Sequence, residues 1–80
     1  MDKRAEDGFL HAQDLEARAQ AGDVDAMIEY GGLCARGIVP KAGYGRALFW
    51  YEKAASRGSA DGMYQAGLLY VQGLGTPPSV

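Results

Sequence analysis

The sequence predicts an all-α protein, a short solenoid of about four antiparallel helices, and three observations lead to this prediction. Six residues recur 36 positions later within a window of sixteen, and a period of this length is typical of stacked helical units. Glycines separate segments in which apolar residues recur every three or four positions. No segment alternates apolar and polar residues, so no strand is predicted. The recurring pairs are Gly22 and Gly58, Asp25 and Asp61, Met27 and Met63, Gly31 and Gly67, Leu33 and Leu69, and Gly37 and Gly73.

The first helix is predicted over residues 7–21. Asp7 is placed to cap its start, and Gly22 to end it in a left-handed conformation. Four apolar residues at helical spacing form its buried face. These are Phe9, Ala12, Leu15 and Ala19.

The second helix is predicted over residues 23–36, with Asp23 as its N-cap and Gly37 as its stop. Gly31 and Gly32 fall in its middle, where each costs up to about 1 kcal/mol relative to alanine. Glycine at such positions indicates the close approach of a neighbouring helix. The apolar stripe of this helix is Ala26, Met27, Tyr30, Leu33 and Cys34.

The third and fourth helices follow a proline-containing loop over residues 37–43. The third is predicted over residues 44–57, and the fourth over residues 59–72 with Ser59 as its N-cap. Since the turns at Gly22 and Gly58 are short, neighbouring helices should be antiparallel. The chain then divides into an N-terminal cap helix (1–22), a full repeat (23–58) and a partial repeat with a tail (59–80).

Composition and charge limit the functional classes. The formal net charge is −2, which argues against nucleic-acid binding. Residues 1–30 hold eight acidic and three basic residues, and residues 31–80 hold two acidic and five basic residues. This asymmetry is typical of solvated helix faces, but it also suits head-to-tail contact or attraction of a charged partner.

The residues that carry chemistry are few. Cys34 is the single cysteine and lies in an apolar helical stretch, so it is predicted to be a buried apolar residue rather than a disulfide partner or metal ligand. His11 is the single histidine and has no neighbour with which to form a metal site or a nucleophilic triad. We therefore expect no catalytic residue, no metal and no cofactor.

Targeting signals are also missing from the sequence. No apolar run of 18 residues is long enough to span a membrane, and the first residues lack the apolar core of a signal peptide. The expected compartment is the cytoplasm. The initial methionine and the cap-like first helix are consistent with a natural N-terminus.

A longer motif lies in the third helix and the glycines around it. Residues 47–58 read Ala-Leu-Phe-Trp-Tyr-Glu-Lys-Ala-Ala-Ser-Arg-Gly, after Pro40-Lys41 and Tyr44. This run resembles the second helix of the Sel-1-like repeat family, which is related to the tetratricopeptide repeat. The family's first helix, Ala-x-x-x-Leu-Gly-x-x-Tyr-x-x-Gly, is matched by two sets of residues. They are Ala26, Tyr30, Gly31, Cys34 and Gly37, then Gly62, Ala66, Gly67, Tyr70 and Gly73.

The resemblance covers roughly residues 15–78 and departs from the family at Cys34, Val39 and Gly43, where the family has a tyrosine, a glycine and an aspartate. It implies a right-handed solenoid that acts as an adaptor or scaffold for a protein partner. It does not name the partner. An alternative is a small inhibitor or antitoxin-like protein that blocks one enzyme stoichiometrically.

The fourth helix supplies most of the candidate interface residues because it is apolar nearly all round, which is typical of a helix covered on every side. We expect one face, Met63, Ala66, Gly67 and Tyr70, to pack against the third helix. The other face, Tyr64, Leu68 and Val71, has no predicted partner within the chain. Either it pads the core, or it binds a second copy of the chain, as a homodimer through the C-terminal helix, or another protein.

Three further residues complete the candidate interface: Phe49, Gln65 and Leu74. Phe49 occupies a position that the resembled family usually fills with a charged residue. It is expected either to fill a gap in the core or to act as an exposed aromatic anchor. Its replacement by serine should leave the fold intact if it is an anchor.

Overall fold

The computed structural model describes residues 3–40 and 42–76, with side chains from His11 onward. This part of the chain holds four helices and no strand, which confirms the predicted all-α fold. Each helix packs against the next one along the chain, as in a short solenoid. The helices are α1 (Lys3–Gln20), α2 (Val24–Ala35), α3 (Tyr44–Ser56) and α4 (Ala60–Gln72).

The helix ends follow the local signals of the sequence in most places. The Asp23 carboxylate accepts a hydrogen bond from the Ala26 amide at 3.1 Å, and the Ser59 hydroxyl accepts one from the Gly62 amide at 3.0 Å. Both N-caps are as predicted. Gly22 has a φ of 105°, which lets the chain reverse between α1 and α2. The prediction that Asp7 caps α1 is wrong, because α1 already begins at Lys3.

The core lies on both sides of α3, which is packed between α2 and α4. Trp50 and Met27 are the largest fully buried side chains, and Cys34 is 1% exposed, as predicted. Burial raises the pKa of the Cys34 thiol, so it remains a neutral, unreactive group at neutral pH. The other buried apolar residues are Leu15, Ala19, Ala26, Tyr30, Val39, Ala47, Leu48, Tyr51, Ala54, Ala66 and Leu69.

The two mid-helix glycines of α2 behave differently. A Cβ atom on Gly31 would lie 2.8 Å from Cε1 of the Tyr51 ring, so α3 approaches α2 closely there, as predicted. A Cβ atom on Gly32 would be 3.8 Å from the Tyr51 hydroxyl, an ordinary contact distance. The predicted close approach is therefore wrong for Gly32.

Tyr30 joins three helices and gives the fold a pH dependence. Its hydroxyl donates to Glu16 of α1 at 3.0 Å, and its ring meets Trp50 of α3 edge-on at 6.0 Å. Burial, with a smaller contribution from the Glu16 hydrogen bond, raises the pKa of Tyr30 from 10.0 to about 12. Ionisation of the phenol thus favours the unfolded chain.

We expect this tyrosine to make the fold sensitive to alkali. The stability that it contributes is complete below pH 10 and is lost as the pH rises towards 12, by about 2 kcal/mol at that point. A Tyr30→Phe variant cannot ionise at this position and should lose less stability over the same range. Urea unfolding at pH 8 and pH 11.5 measures the difference. An equal loss in the two proteins would contradict the assignment.

Candidate protein-binding surfaces

The outward side of α4 carries five of the eight large apolar side chains that are exposed among the described residues. We call it the end face. Only Gly62, Ala66 and Leu69 of α4 are buried, whereas Val71 is 87% and Tyr64 64% exposed. Contiguous apolar surface of this kind is rare on isolated soluble proteins and often marks a contact with another molecule. The end face consists of Met63, Tyr64, Gly67, Leu68, Tyr70 and Val71.

The predicted packing face of α4 is only partly right. Ala66 is buried, but Met63, Gly67 and Tyr70 are exposed. The prediction that α3 covers this face is wrong for Met63 and Gly67, whereas Tyr70 is joined to α3 by its hydroxyl. The residues 36 positions earlier are Met27, Gly31 and Cys34, which are buried in α2, and Gly31 lies against Tyr51 of the helix that follows it. By this equivalence the end face points away from α3, in the direction from which a following helix approaches α2 in the first repeat.

The contact between α3 and α4 depends instead on Gly62. A Cβ atom there would lie 2.8 Å from the Ala55 amide nitrogen and 2.8 Å from the Tyr51 carbonyl oxygen. Gly67 differs, since a Cβ atom on it would have no atom within 4 Å. The two glycines thus mark the covered and the uncovered side of the same helix.

The predicted interface residues separate into two groups. Tyr64, Leu68 and Val71 are exposed together on the end face. Gln65 of α4 is half-buried, and Leu74, two residues past the end of α4, is half-buried against the core, so neither lies on the end face. A role for any of them in binding remains a prediction.

Tyr70 belongs to the end face but is tied to α3. It is 55% exposed, and its hydroxyl donates a hydrogen bond to the Glu52 carboxylate. That bond raises the pKa of Tyr70. Its ring is therefore held in place at the edge of the end face.

Phe49 lies on a second surface, which we call the cationic ridge: Arg46, Phe49 and Lys53. The Phe49 ring is 48% exposed and meets Trp50 edge-on at 5.1 Å. The Arg46 guanidinium lies 5.5 Å and the Lys53 ammonium 5.8 Å from the centre of that ring. Phe49 thus contacts the core from the surface, with two cations beside it. The i, i+3, i+7 spacing along α3 signals this cluster, but sequence reasoning missed the two cations.

Two separate segments of the chain match a known family. A sequence model of the Sel1 repeat matches residues 24–59 and 60–80. The chain belongs to the Sel1 repeat family. Sel1 repeats are generally protein–protein interaction modules, and the family is typically non-catalytic. No curated protein and no solved structure matches the chain.

The chain also has a shallow groove between α1, which precedes the matched repeats, and α2, and sequence reasoning missed it. The groove encloses about 280 Å³, with Leu15 and Ile28 among its apolar residues and Glu29 and Arg36 among its polar ones. His11 lines it as well. It combines apolar side chains with charged ones.

The described part of this Sel1 repeat shows neither a metal centre nor a membrane span. Within residues 3–40 and 42–76, whose side chains are described from His11 onward, no three such histidine, cysteine, aspartate or glutamate side chains are grouped as metal ligands would be. None of the helices in these ranges has the length and apolar character needed to cross a bilayer. The surface features that stand out are the end face and the cationic ridge.

Proposed function

We propose that this Sel1 repeat chain is a small adaptor that binds a protein partner through its helical-repeat surface. The end face carries the proposal. On α2 the equivalent residues are covered by α3, whereas on α4 they are uncovered in the described residues. Apolar side chains of this size, exposed on one rigid helix, favour a contact with another protein.

The cationic ridge supports the adaptor role because an adaptor needs more than one surface. Arg46 and Lys53 form no ion pair with the side chains described in residues 11–40 and 42–76, and both stand beside an exposed aromatic ring. Cations and aromatic rings are common in the centres of protein interfaces. The ridge lies on α3 and the end face on α4, so partners of different chemistry could occupy them at the same time. The setting that we propose for this role is the cytoplasm.

The proposal is tested by capture of partners with a matched pair of variants. Tyr64→Glu places a charge on the end face, and Gln72→Glu places the same charge on an exposed position of α4 outside it. We expect a partner captured from a lysate of the source organism to be retained by wild type and Gln72→Glu and lost with Tyr64→Glu. Equal capture by both variants would contradict a role for the end face.

The same captured partner separates an adaptor from an inhibitor. An adaptor holds two partners in one complex, which size-exclusion chromatography with multi-angle light scattering detects. An inhibitor instead abolishes the activity of one enzyme at equimolar concentration. The second result would contradict the adaptor role.

A further inference from the structure

We infer that the end face binds a second copy of this chain, with the two α4 helices antiparallel about a two-fold axis that passes through Gly67. This inference rests on the proposed function, because it names the protein that occupies the end face. Three observations support it: the symmetry of the end face, the open space at Gly67, and the lack of charged residues in α4 between Gly62 and Gln72.

The end face is symmetric about Gly67. In an antiparallel pair centred there, Met63 lies opposite Val71 of the second copy, and Tyr64 lies opposite Tyr70 of the second copy. The four side chains are 56%, 87%, 64% and 55% exposed, in that order. A two-fold interface brings one patch against itself, so it requires such self-complementarity. Here apolar meets apolar and tyrosine meets tyrosine.

Gly67 leaves room for the close approach that such a pair needs. A Cβ atom on Gly67 would have no atom within 4 Å, whereas one on Gly31, its equivalent in α2, would press against the Tyr51 ring. Glycine in the middle of an exposed helix weakens that helix, and the repeat register equates Gly67 with Gly31, where the following helix approaches closely. A helix of a second copy that crosses at Gly67 would make the same close approach.

The charges of the chain favour a second copy at the end face and not at the cationic ridge. No charged residue lies between Gly62 and Gln72, and the Glu52 carboxylate at the edge of the end face is bonded to the Tyr70 hydroxyl. Two end faces therefore meet without like charges at their centre. Two ridges would instead bring Arg46 and Lys53 of each copy together, which is unfavourable. The α3 helix of a second copy is also excluded as the occupant, since its Trp50 and Tyr51 are already buried.

Sedimentation equilibrium over a range of concentrations tests the inference. The mass of the wild type should rise from 8.5 kDa towards twice that value. Gly67→Glu places two carboxylates on the axis and should remain monomeric. Gln72→Glu changes the net charge equally, lies outside the end face and should dimerise like the wild type. Far-UV circular dichroism checks that each variant is folded, as the open space at Gly67 leads us to expect.

A complementary pair of variants tests the two-fold axis itself. Gly67→Lys should be monomeric alone, and an equal mixture of Gly67→Lys and Gly67→Glu should dimerise, because position 67 faces itself. No dimerisation in the mixture, or a dimer that tolerates Gly67→Glu, would overturn the inference. A wild type that stays monomeric, yet loses a captured partner with Tyr64→Glu, would also overturn it and would leave the proposed function standing with a different protein as the occupant.

Discussion

Gly62→Ala is expected to lower the free energy of unfolding by about 3 kcal/mol, since overpacking of a filled core costs that much. The new Cβ atom would lie 2.8 Å from the Tyr51 carbonyl oxygen and the Ala55 amide nitrogen. Both are backbone atoms, so they cannot rotate away, and α4 must move off α3. The free energy of unfolding of an 80-residue domain is roughly 5 kcal/mol, so the variant loses most of its stability. Urea unfolding followed by circular dichroism measures the loss.

Gly67→Ala is the matched control on the same helix. Its Cβ atom enters open space, so alanine should stabilise α4 by up to about 1 kcal/mol through its higher helix propensity. The same glycine-to-alanine substitution is thus expected to lower the free energy of unfolding at position 62 and to raise it at position 67. Similar effects at the two positions would show that backbone propensity, and not the contact with α3, decides the role of Gly62. The two variants should be compared at a protein concentration where the chain is monomeric, because Gly67 lies at the proposed dimer contact.

The helix ends could be predicted from the sequence because capping is local. Asp23 and Ser59 each bond an amide three residues later, and Gly22 and Gly58 take positive φ angles at the reversals. None of these features depends on what lies elsewhere in the fold. The start of α1 was missed because Asp7, a residue type favoured at N-caps, lies inside the helix.

The choice of faces on α4 could not be made from periodicity because the helix is apolar nearly all round. Met63 and Tyr70 were assigned to the contact with α3, but they are more than half exposed. The 36-residue register was the signal that could have corrected this, since it equates Met63 and Gly67 with the side of α2 that meets the following helix. Gly62 was missed for a related reason: its equivalent is Ala26, so the first repeat shows no glycine there.

The sequence spacing places Arg46, Phe49 and Lys53 on one side of α3, but the contacts within this cationic ridge needed the three-dimensional structure. Charged residues on a helix are usually solvated, and the spacing of Arg46 and Lys53 along α3 does not show that both cations lie within 6 Å of the Phe49 ring. Flexible side chains adopt such positions through contacts with neighbouring rings. The exposure of Phe49 itself could be suspected from its place between two inward residues, but not its edge-on contact with Trp50.

Trp50→Ala is expected to leave the fold with only about 0–2 kcal/mol of stability at 25 °C. The side chain is 2% exposed and meets the Tyr30 ring edge-on, so its removal opens a cavity between α2 and α3. Truncation of a buried tryptophan to alanine costs about 3–5 kcal/mol, which is comparable to the whole stability of a domain of this size. Urea unfolding followed by circular dichroism should show a transition at or near zero denaturant, shifted to higher urea by a stabilising osmolyte.

The adjacent residue and a conservative variant define what Trp50 contributes. Phe49→Ser, on the same helix, removes a ring that is 48% exposed and should cost only about 1 kcal/mol. Trp50→Phe should fall between the two, because the indole nitrogen has no hydrogen-bond partner in the described structure and the variant therefore loses volume but no bond. If Trp50→Phe lowered the stability as much as Trp50→Ala, the indole N–H would have to form a hydrogen bond in solution. The buried volume of Trp50 would then not be sufficient to explain its contribution to the fold.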